Sequence, residues 1–578
     1  MNNNNLLPAL ILSMLILFGF QYLYVKPHQE ALRTQAIAQQ LQASKQEADK
    51  QAVAAGKIVS DTPRARADIV TATPRVTLTT SQFQGSVNLQ GARLDDVQLV
   101  NYRESVASDA GRVTLLSPAG SAQPVFPTYA DVSWLSDQAD LVLPTTNTMW
   151  QAEKGAKLTP SMPLRLTWDN GHGLQFERVI TVDERSMFTL TDTVRNTGKD
   201  SVHLFPYGAI ARQGNPTARA AGAIHEGGIG VLGGTLEEMK YKKLIDDGKK
   251  LYESDGGWLG ITDKYWLTAL IPAQDEKIDA EFAFSGEGVT DPNQGHFQAD
   301  FRGAGVTLEP GASTQHMVRL FVGPKSLRQL DLYAEQYNIP HFDRAIDFGW
   351  FYFLTKPFLY LLTWLGNAIG HAGIAILIFT VALKLITLPL SLKSNRSMAR
   401  MKELQPEIKR LQERYADDKL RQNQEMMELF KREKVSPMSG CVPMLIQIPI
   451  FFALYKVLYV SIELRQAPFF GWIHDMSVPD TTNLFTLFGL VPWQTPAFMH
   501  LGAWPLLMGC SMFLQQRLSP QPMDKSQAQM FMFMPIMFTF MLSGMPAGLV
   551  IYWTWSNLLS IAQQWYIMRH AGHAKKAG

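Results

Sequence analysis

The stretch that decides the fold runs from Gly373 to Leu392, GIAILIFTVALKLITLPLSL, apolar apart from three hydroxyl side chains and one lysine, Lys384. A run of this length matches the hydrocarbon thickness of a bilayer and predicts a membrane-spanning helix. Lys384 stands nine residues from Lys393 at the polar end of the run. That is about 13 Å of helical rise, too deep for comfortable snorkelling. A bare ammonium at such depth is costly, so Lys384 must face protein or water, and an intramembrane charge is a functional candidate by default. Its plainer role is pairing with a neighbouring helix.

Around this run the chain divides into two unlike halves. Its 578 residues are 18% charged, with a formal charge of +2 and a mean hydropathy of −0.05, the averages of a soluble protein. The apolar runs, however, cluster at the start and after Phe348. The length predicts at least two domains, and the charge offers no concentrated basic face for nucleic acid. Cys441 and Cys510 both lie in the apolar second half, which leaves the long polar region without an internal disulfide.

Leu6 to Val25 is long enough to cross a bilayer; the MNNNN before it carries no basic residue and the run ends without a small-x-small cleavage site, so it reads as an uncleaved anchor. From Arg75 to Gly323 the period is two: RVTLTT at Arg75, LRLTWDN at Leu164, FERVITVDE at Phe176 and MFTLTDTVRNTG at Met187 alternate apolar and polar residues and stop at Gly, Asn or Asp. This predicts a large antiparallel β domain, a sandwich. After it, FGWFYFLTKPFLYLLTWLGNAIG from Phe348 reads as an interfacial amphipathic helix. Further spans are read at Val442–Val460, Trp504–Leu518, Met530–Leu542 and Pro546–Met568.

Orientation follows from the loops. Lys393 to Lys434 carries Arg396, Arg400, Lys402, Lys409, Arg410, Arg414, Lys419, Arg421, Lys431 and Arg432, whereas Ser461 to His500 has only Arg465. The basic loop is therefore expected in the cytoplasm, with both termini, and the β domain outside. Within that loop Met398, Met401, Leu404, Ile408 and Leu411, then Leu420, Met427 and Phe430, predict two short amphipathic helices folded as a hairpin. Near Gln529, Met530, Met532, Met534, Met537, Met541 and Met545 sit among phenylalanines; methionine surfaces adapt to many apolar shapes.

The chain contains no G-x-x-x-x-G-K-[ST], H-E-x-x-H, C-x-x-C or G-x-S-x-G, so nucleotide, zinc and serine-hydrolase chemistry lack a basis. A G-x-G-x-x-G at Gly228, Gly230 and Gly233 falls in a β region without a strand-turn-helix setting. Asp95 and Asp96 are adjacent strand residues that point to opposite faces.

Four segments carry a resemblance: TVALKLITLPLSLKSNRSMARMKELQPEI from Thr380, KVSPMSGCVPMLIQIPIFFALY from Lys434, ELRQAPFFGWIHDMSVPD from Glu463 and MPAGLVIYWTWSNLLSIAQQ from Met545. In these, and in the order of its parts, the chain closely resembles the YidC family of membrane protein insertases of Gram-negative bacteria. The resemblance implies a multi-domain inner-membrane protein: an all-β supersandwich periplasmic domain, a five-helix transmembrane insertase core with a hydrophilic groove open to the cytoplasm, and an extra N-terminal transmembrane helix. The expected organisation is an anchor at 1–25, a tether at 26–73, the β domain at 74–340, an interfacial region at 341–372 and spans at 373–392, 436–460, 504–518, 530–543 and 546–568. Between and after the spans come a cytoplasmic hairpin at 393–435, a periplasmic loop at 461–503, a cytoplasmic loop at 519–529 and a basic tail at 569–578.

Family members carry a functional basic residue, commonly arginine, five positions before the proline of the first core helix; here that position is Lys384, before Pro389. The resemblance also makes Thr380 and Tyr552 or Trp553 groove and substrate-contact positions. Gln447, Gln516 and Asn557 are read as polar groove lining or as hydrogen-bond partners of a neighbouring helix, and Met444, Met534 and Met537 as part of an apolar slide formed by 442–460 and 530–542. The expected partners are client membrane proteins, the Sec translocon, a ribosome or signal-recognition machinery and the lipid bilayer. No cofactor, metal, nucleotide or bond-making step is expected. Two other classes stay open: a secondary transporter or channel using Lys384, which should show two related halves, and a membrane-anchored periplasmic carbohydrate-binding protein, which should show convergent carboxylates in a polar pocket.

Overall fold

The computed structural model describes residues 63–216, 224–286, 291–433, 442–491, 496, 500–518 and 525–574. The expected anchor and the tether up to residue 62 lie outside the described residues.

The alternating segments form two antiparallel sheets. The first follows the path β1 (Arg75–Thr79), β2 (Phe83–Asn88), β3 (Arg93–Arg103), β5 (Thr128–Leu135), β10 (Val202–Gln213), β17 (His296–Gly303), β16 (Lys277–Ser285) and β13 (Lys249–Asp255), with β4 (Arg112–Leu116) beside β3 and β18 (Val306–Leu308) beside β10. The second runs β12 (Thr235–Lys240), β11 (Gly227–Leu232), β14 (Trp258–Thr262), β15 (Trp266–Ile271), β19 (Ser313–Pro324), β9 (Met187–Asn196), β8 (Leu174–Val182), β7 (Leu164–Asp169) and β6 (Gln151–Ala152). Inward residues of both sheets share one core: Leu94, Val97, Ile210, Phe282 and Phe301 meet Leu166, Phe176, Ile180, Leu190 and Leu259. The period of two becomes a division of labour between faces, because Phe188 and Leu320 enter this core while their neighbours Met187 and Phe321 enter a second core on the other side of the sheet.

Arg178 breaks the pattern. It occupies an inward position of β8, opposite Asp192 of β9, and both are buried. The guanidinium donates to both Asp192 carboxylate oxygens at 2.7 Å and to the carbonyls of Val132 at 2.6 Å and Ala92 at 3.3 Å, so it ties the two sheets together. Asp95 and Asp96, expected on opposite faces, are buried in one network, because the register of β3 against β2 shifts at this point: Arg75 donates to Asp95 at 2.7 Å and to Ser86 Oγ at 3.3 Å, and Ser86 and Arg66 donate to Asp96. Neither carboxylate is available for glycosidase-like work. The glycines of the G-x-G-x-x-G match fall on strand β11 and its turn: a Cβ on Gly228 would lie 2.7 Å from the Phe282 ring, and one on Gly230 2.5 Å from the Trp258 carbonyl. Close sheet packing, not phosphate binding, accounts for them.

The ten helices are α1 (Arg66–Ala72), α2 (Tyr241–Asp247), α3 (Leu327–Tyr337), α4 (Tyr352–Ile369), α5 (Ala372–Arg414), α6 (Lys419–Arg432), α7 (Val442–Val460), α8 (Ala503–Leu518), α9 (Lys525–Leu542) and α10 (Ala547–Ala574) among the described residues. The second core runs without interruption from the β domain into this half: Met187, Ile229 and Phe321 cluster with Phe342 and, further on, with Leu359, Ile376, Phe379, Leu454 and Tyr552. Polar contacts fix the junction. Asp347 accepts from the Lys456 ammonium of α7 at 2.8 Å and from the His225 amide at 3.0 Å. Burial pulls the Asp347 carboxyl up, but Lys456 and the His225 and Gly349 amides outweigh it and hold it below the usual carboxylate range. Arg465, just beyond α7, donates to the Arg103 carbonyl at 2.6 Å, and Lys264 stands 3.8 Å over the Tyr459 ring.

One expectation is corrected here. The first arm of the basic hairpin is not a separate short helix but the continuation of α5, which spans 43 residues, about 64 Å, from the β-domain side to Arg414. Nothing between Leu392 and Met401 stops a helix, and Pro389 and Pro406 are carried within it. The second arm, α6, begins at Asp418, whose carboxylate caps the Arg421 amide. The seam between the arms uses Met401, Leu404, Ile408 and Leu411 against Met426, Leu429 and Phe430. Leu420 and Met427, expected on that seam, are exposed; the phase of α6 turns Met426 and Leu429 inward instead.

Candidate functional site

Among the described residues, Ala372–Ser394 is the one helical segment long and apolar enough to cross a bilayer, with mean hydropathy 2.2 over its apolar window; Leu445–Val460 and Phe531–Leu542 are shorter apolar helices. Helix α10 is the hub, packing on α5, α7 and α8, while α8 also packs on α9. The outer surfaces of these helices are apolar. Leu385 and Ile386 of α5 are 63% and 73% exposed, and Leu445, Ile448 and Phe452 of α7 and Phe533, Met537 and Phe540 of α9 form exposed stripes. Such continuous apolar surface is what a lipid-facing bundle presents.

Polar groups converge on the inner face of α10. Tyr552, Ser556 and Ser560 follow each other at intervals of four, so they line one side of the helix. Lys384 reaches this stripe from α5: its half-buried ammonium donates to Ser560 Oγ at 2.9 Å, and Ser560 donates to the Ser556 carbonyl at 2.9 Å. One turn further, Gln563 holds a buried amide nitrogen without a partner among the described residues. Gln447 of α7 donates to Tyr552 Oη at 2.7 Å at the other end of the stripe. Two of the expected lining residues join neighbouring helices here. Asn557 donates to Ser511 of α8 at 2.9 Å, and Gln516 donates to the Phe531 carbonyl of α9. Thr380, one turn before Lys384, is 1% exposed and its hydroxyl donates to the Ile376 carbonyl at 2.6 Å.

Trp553 sits beside this polar stripe as an apolar wedge. Its ring lies 4.7 Å from Phe451 of α7 and 5.4 Å from Phe538 of α9, so it joins the two helices whose outer faces carry the exposed stripes. Met537 lies on the α9 stripe and Met534 is half-buried behind it. The Met444 side chain lies outside the described residues, although its backbone belongs to the first turn of α7. Among the described residues no cluster of His, Cys, Asp and Glu could hold a metal.

Sequence reading missed Ser556 and Ser560. The signal was present in YWTWSNLLSIAQQ, where polar residues recur every fourth position along an otherwise apolar helix.

A helical bundle with an apolar outer surface, a lysine-bearing polar seam inside and a β sandwich clamped to one end defines an integral membrane protein with a large domain outside the bilayer. Comparison with known proteins gives its family. Residues 75–361 match the family model of the YidC periplasmic domain, and residues 364–575 that of the 60Kd inner membrane protein. The chain is 45% identical to the membrane protein insertase YidC of Beijerinckia indica subsp. indica, with 99% of this chain and 96% of that one covered. It is 44% identical to those of Methylorubrum extorquens and Brucella suis, at the same coverage. A crystal structure described as an active YidC insertase with its first transmembrane domain resolved covers 85% of this chain and 92% of its own at 16% identity, with a TM-score of 0.35. The chain belongs to the YidC family of membrane protein insertases, and it is not an enzyme.

Proposed function

We propose that this protein inserts client membrane proteins into the inner membrane and helps them fold, alone or with the Sec translocon, and that the seam between α5 and α10 is where the client's polar segment enters. The observation that carries this reading is Lys384: a half-buried ammonium in an apolar bundle, held by one neutral hydroxyl and with no charged neighbour acting on it among the described residues. An ammonium placed so is short of ligands, and a carboxylate in the tail of a client would supply one. The client's apolar segment meanwhile travels along the stripes of α7 and α9 on either side of Trp553 and leaves into lipid. Burial of about twenty apolar residues drives the step, and the protein lowers its barrier without nucleotide.

In this reading α5, α7, α8, α9 and α10 span the bilayer, and residues 1–25 add a sixth span. The basic residues of the α5–α6 hairpin stay in the cytoplasm by the positive-inside bias, near ribosomes or signal-recognition machinery, and the β domain at the opposite end of α5 lies in the periplasm. The test is insertion of a single-span client with a short acidic outer tail into liposomes that hold only the purified protein. Protected tail in protein-containing but not empty liposomes is the expected result. Failure to insert without added energy or partners rules out autonomous action.

A further inference from the structure

The hydrogen-bond directions around Lys384 assign a role to its partner. Ser560 has one proton, and it is committed to the Ser556 carbonyl at 2.9 Å. The lone pairs of Ser560 Oγ are thereby turned toward Lys384, whose ammonium lies 2.9 Å away. A hydroxyl oriented in this way accepts from the lysine and has no donor left for a carboxylate. We propose that Ser560 is a positioning residue: it holds the Lys384 ammonium at the inner face of α10 with two N–H groups unengaged among the described residues, and so sets the preference for clients whose tails carry a carboxylate. The idea rests on the insertase reading above.

A lysine needs such a tether here. Its four-carbon stem is flexible and its ammonium is a point charge, unlike the planar fork of an arginine. Untethered, the ammonium can swing away from α10 among its rotamers, toward the apolar surface where Leu385 and Ile386 are exposed. The Ser556 carbonyl, Ser560 hydroxyl and Lys384 ammonium form a directed chain that costs the client nothing to assemble, which is the advantage of a pre-organised site.

The experiment compares insertion rates of two clients that differ only in having an acidic or an uncharged outer tail, in liposomes with the full-length protein. Using the ratio of the two rates cancels general damage to the bundle. Ser560→Ala is expected to lower the acidic-to-uncharged ratio about tenfold, the low end for losing a hydrogen bond to a charged group. Ser560→Thr, which keeps the hydroxyl, should restore the ratio. In a Lys384→Ala background Ser560→Ala should change the ratio no further, because its effect passes through the lysine. An unchanged ratio in Ser560→Ala, or an equal loss with and without Lys384, overturns the proposal. Failure of the unaltered protein to insert either client would instead overturn the insertase reading.

Discussion

Replacing Lys384 by alanine is expected to slow insertion of a client with an acidic outer tail about a hundredfold, within the cost of removing one partner of a close charged pair in a desolvated site. The mutation removes the only cation described on the seam between α5 and α10 and leaves Ser560 and Gln563 as neutral groups, so the client carboxylate must cross apolar surroundings unpaired. Lys384→Arg is expected to retain most of the rate: a guanidinium stays charged and can hold a carboxylate bidentately, although its fork meets the single Ser560 oxygen less well. Initial rates of tail protection in liposomes decide the matter. If alanine inserts the acidic tail as fast as lysine, Lys384 only braces α5 against α10, and the apolar stripes alone must explain insertion.

The second large effect lies in the β domain. Arg178→Ala is expected to destabilise it by about 3–5 kcal/mol, because Asp192 is left buried and unpaired. For a domain of this size that is a fall in Tm of roughly 10 °C. The guanidinium also stacks 5.1 Å from the Trp150 ring and satisfies two backbone carbonyls of the opposite sheet, so the loss includes the link between layers. Replacing both partners, Arg178→Met with Asp192→Leu, should recover much of the loss, since an apolar pair of similar volume removes the uncompensated charge. Thermal unfolding of the detergent-purified full chain, followed by circular dichroism in the β region, reads this directly. An unchanged Tm in the single variant would mean that Asp192 finds water or another donor, and that the bridge does not hold the layers.

Much of the architecture was legible because each half obeys one period. Two-residue alternation in LQFERVITV became strand β8 with apolar residues inward, and the twenty-residue run around Lys384 became the apolar part of α5. Illegible features involve residues that break the local pattern for a distant reason. Arg178 stands where alternation demands an apolar residue, and only Asp192 and two carbonyls from the other sheet explain it. The merging of the first hairpin arm into α5 was hidden because a change from apolar to charged composition is not a helix stop, and no glycine or proline falls between Leu392 and Met401. In the candidate site, Lys384 announced itself by charge, whereas Ser560 is a common residue in helices, and its meaning comes from a partner 176 positions away in sequence.

The measurement that tests the central claim most directly is a photo-crosslinking map. A client arrested during insertion carries a photoreactive residue next to its tail carboxylate, and the adducts are located by mass spectrometry. The account predicts adducts on the α5–α10 seam, at or beside Lys384, Ser556 and Ser560. Adducts confined to Leu385, Ile386 and the outward stripes, or to the β domain, would contradict it, because the polar tail would then cross at the lipid-facing surface or elsewhere and the lysine-lined seam would not be its route.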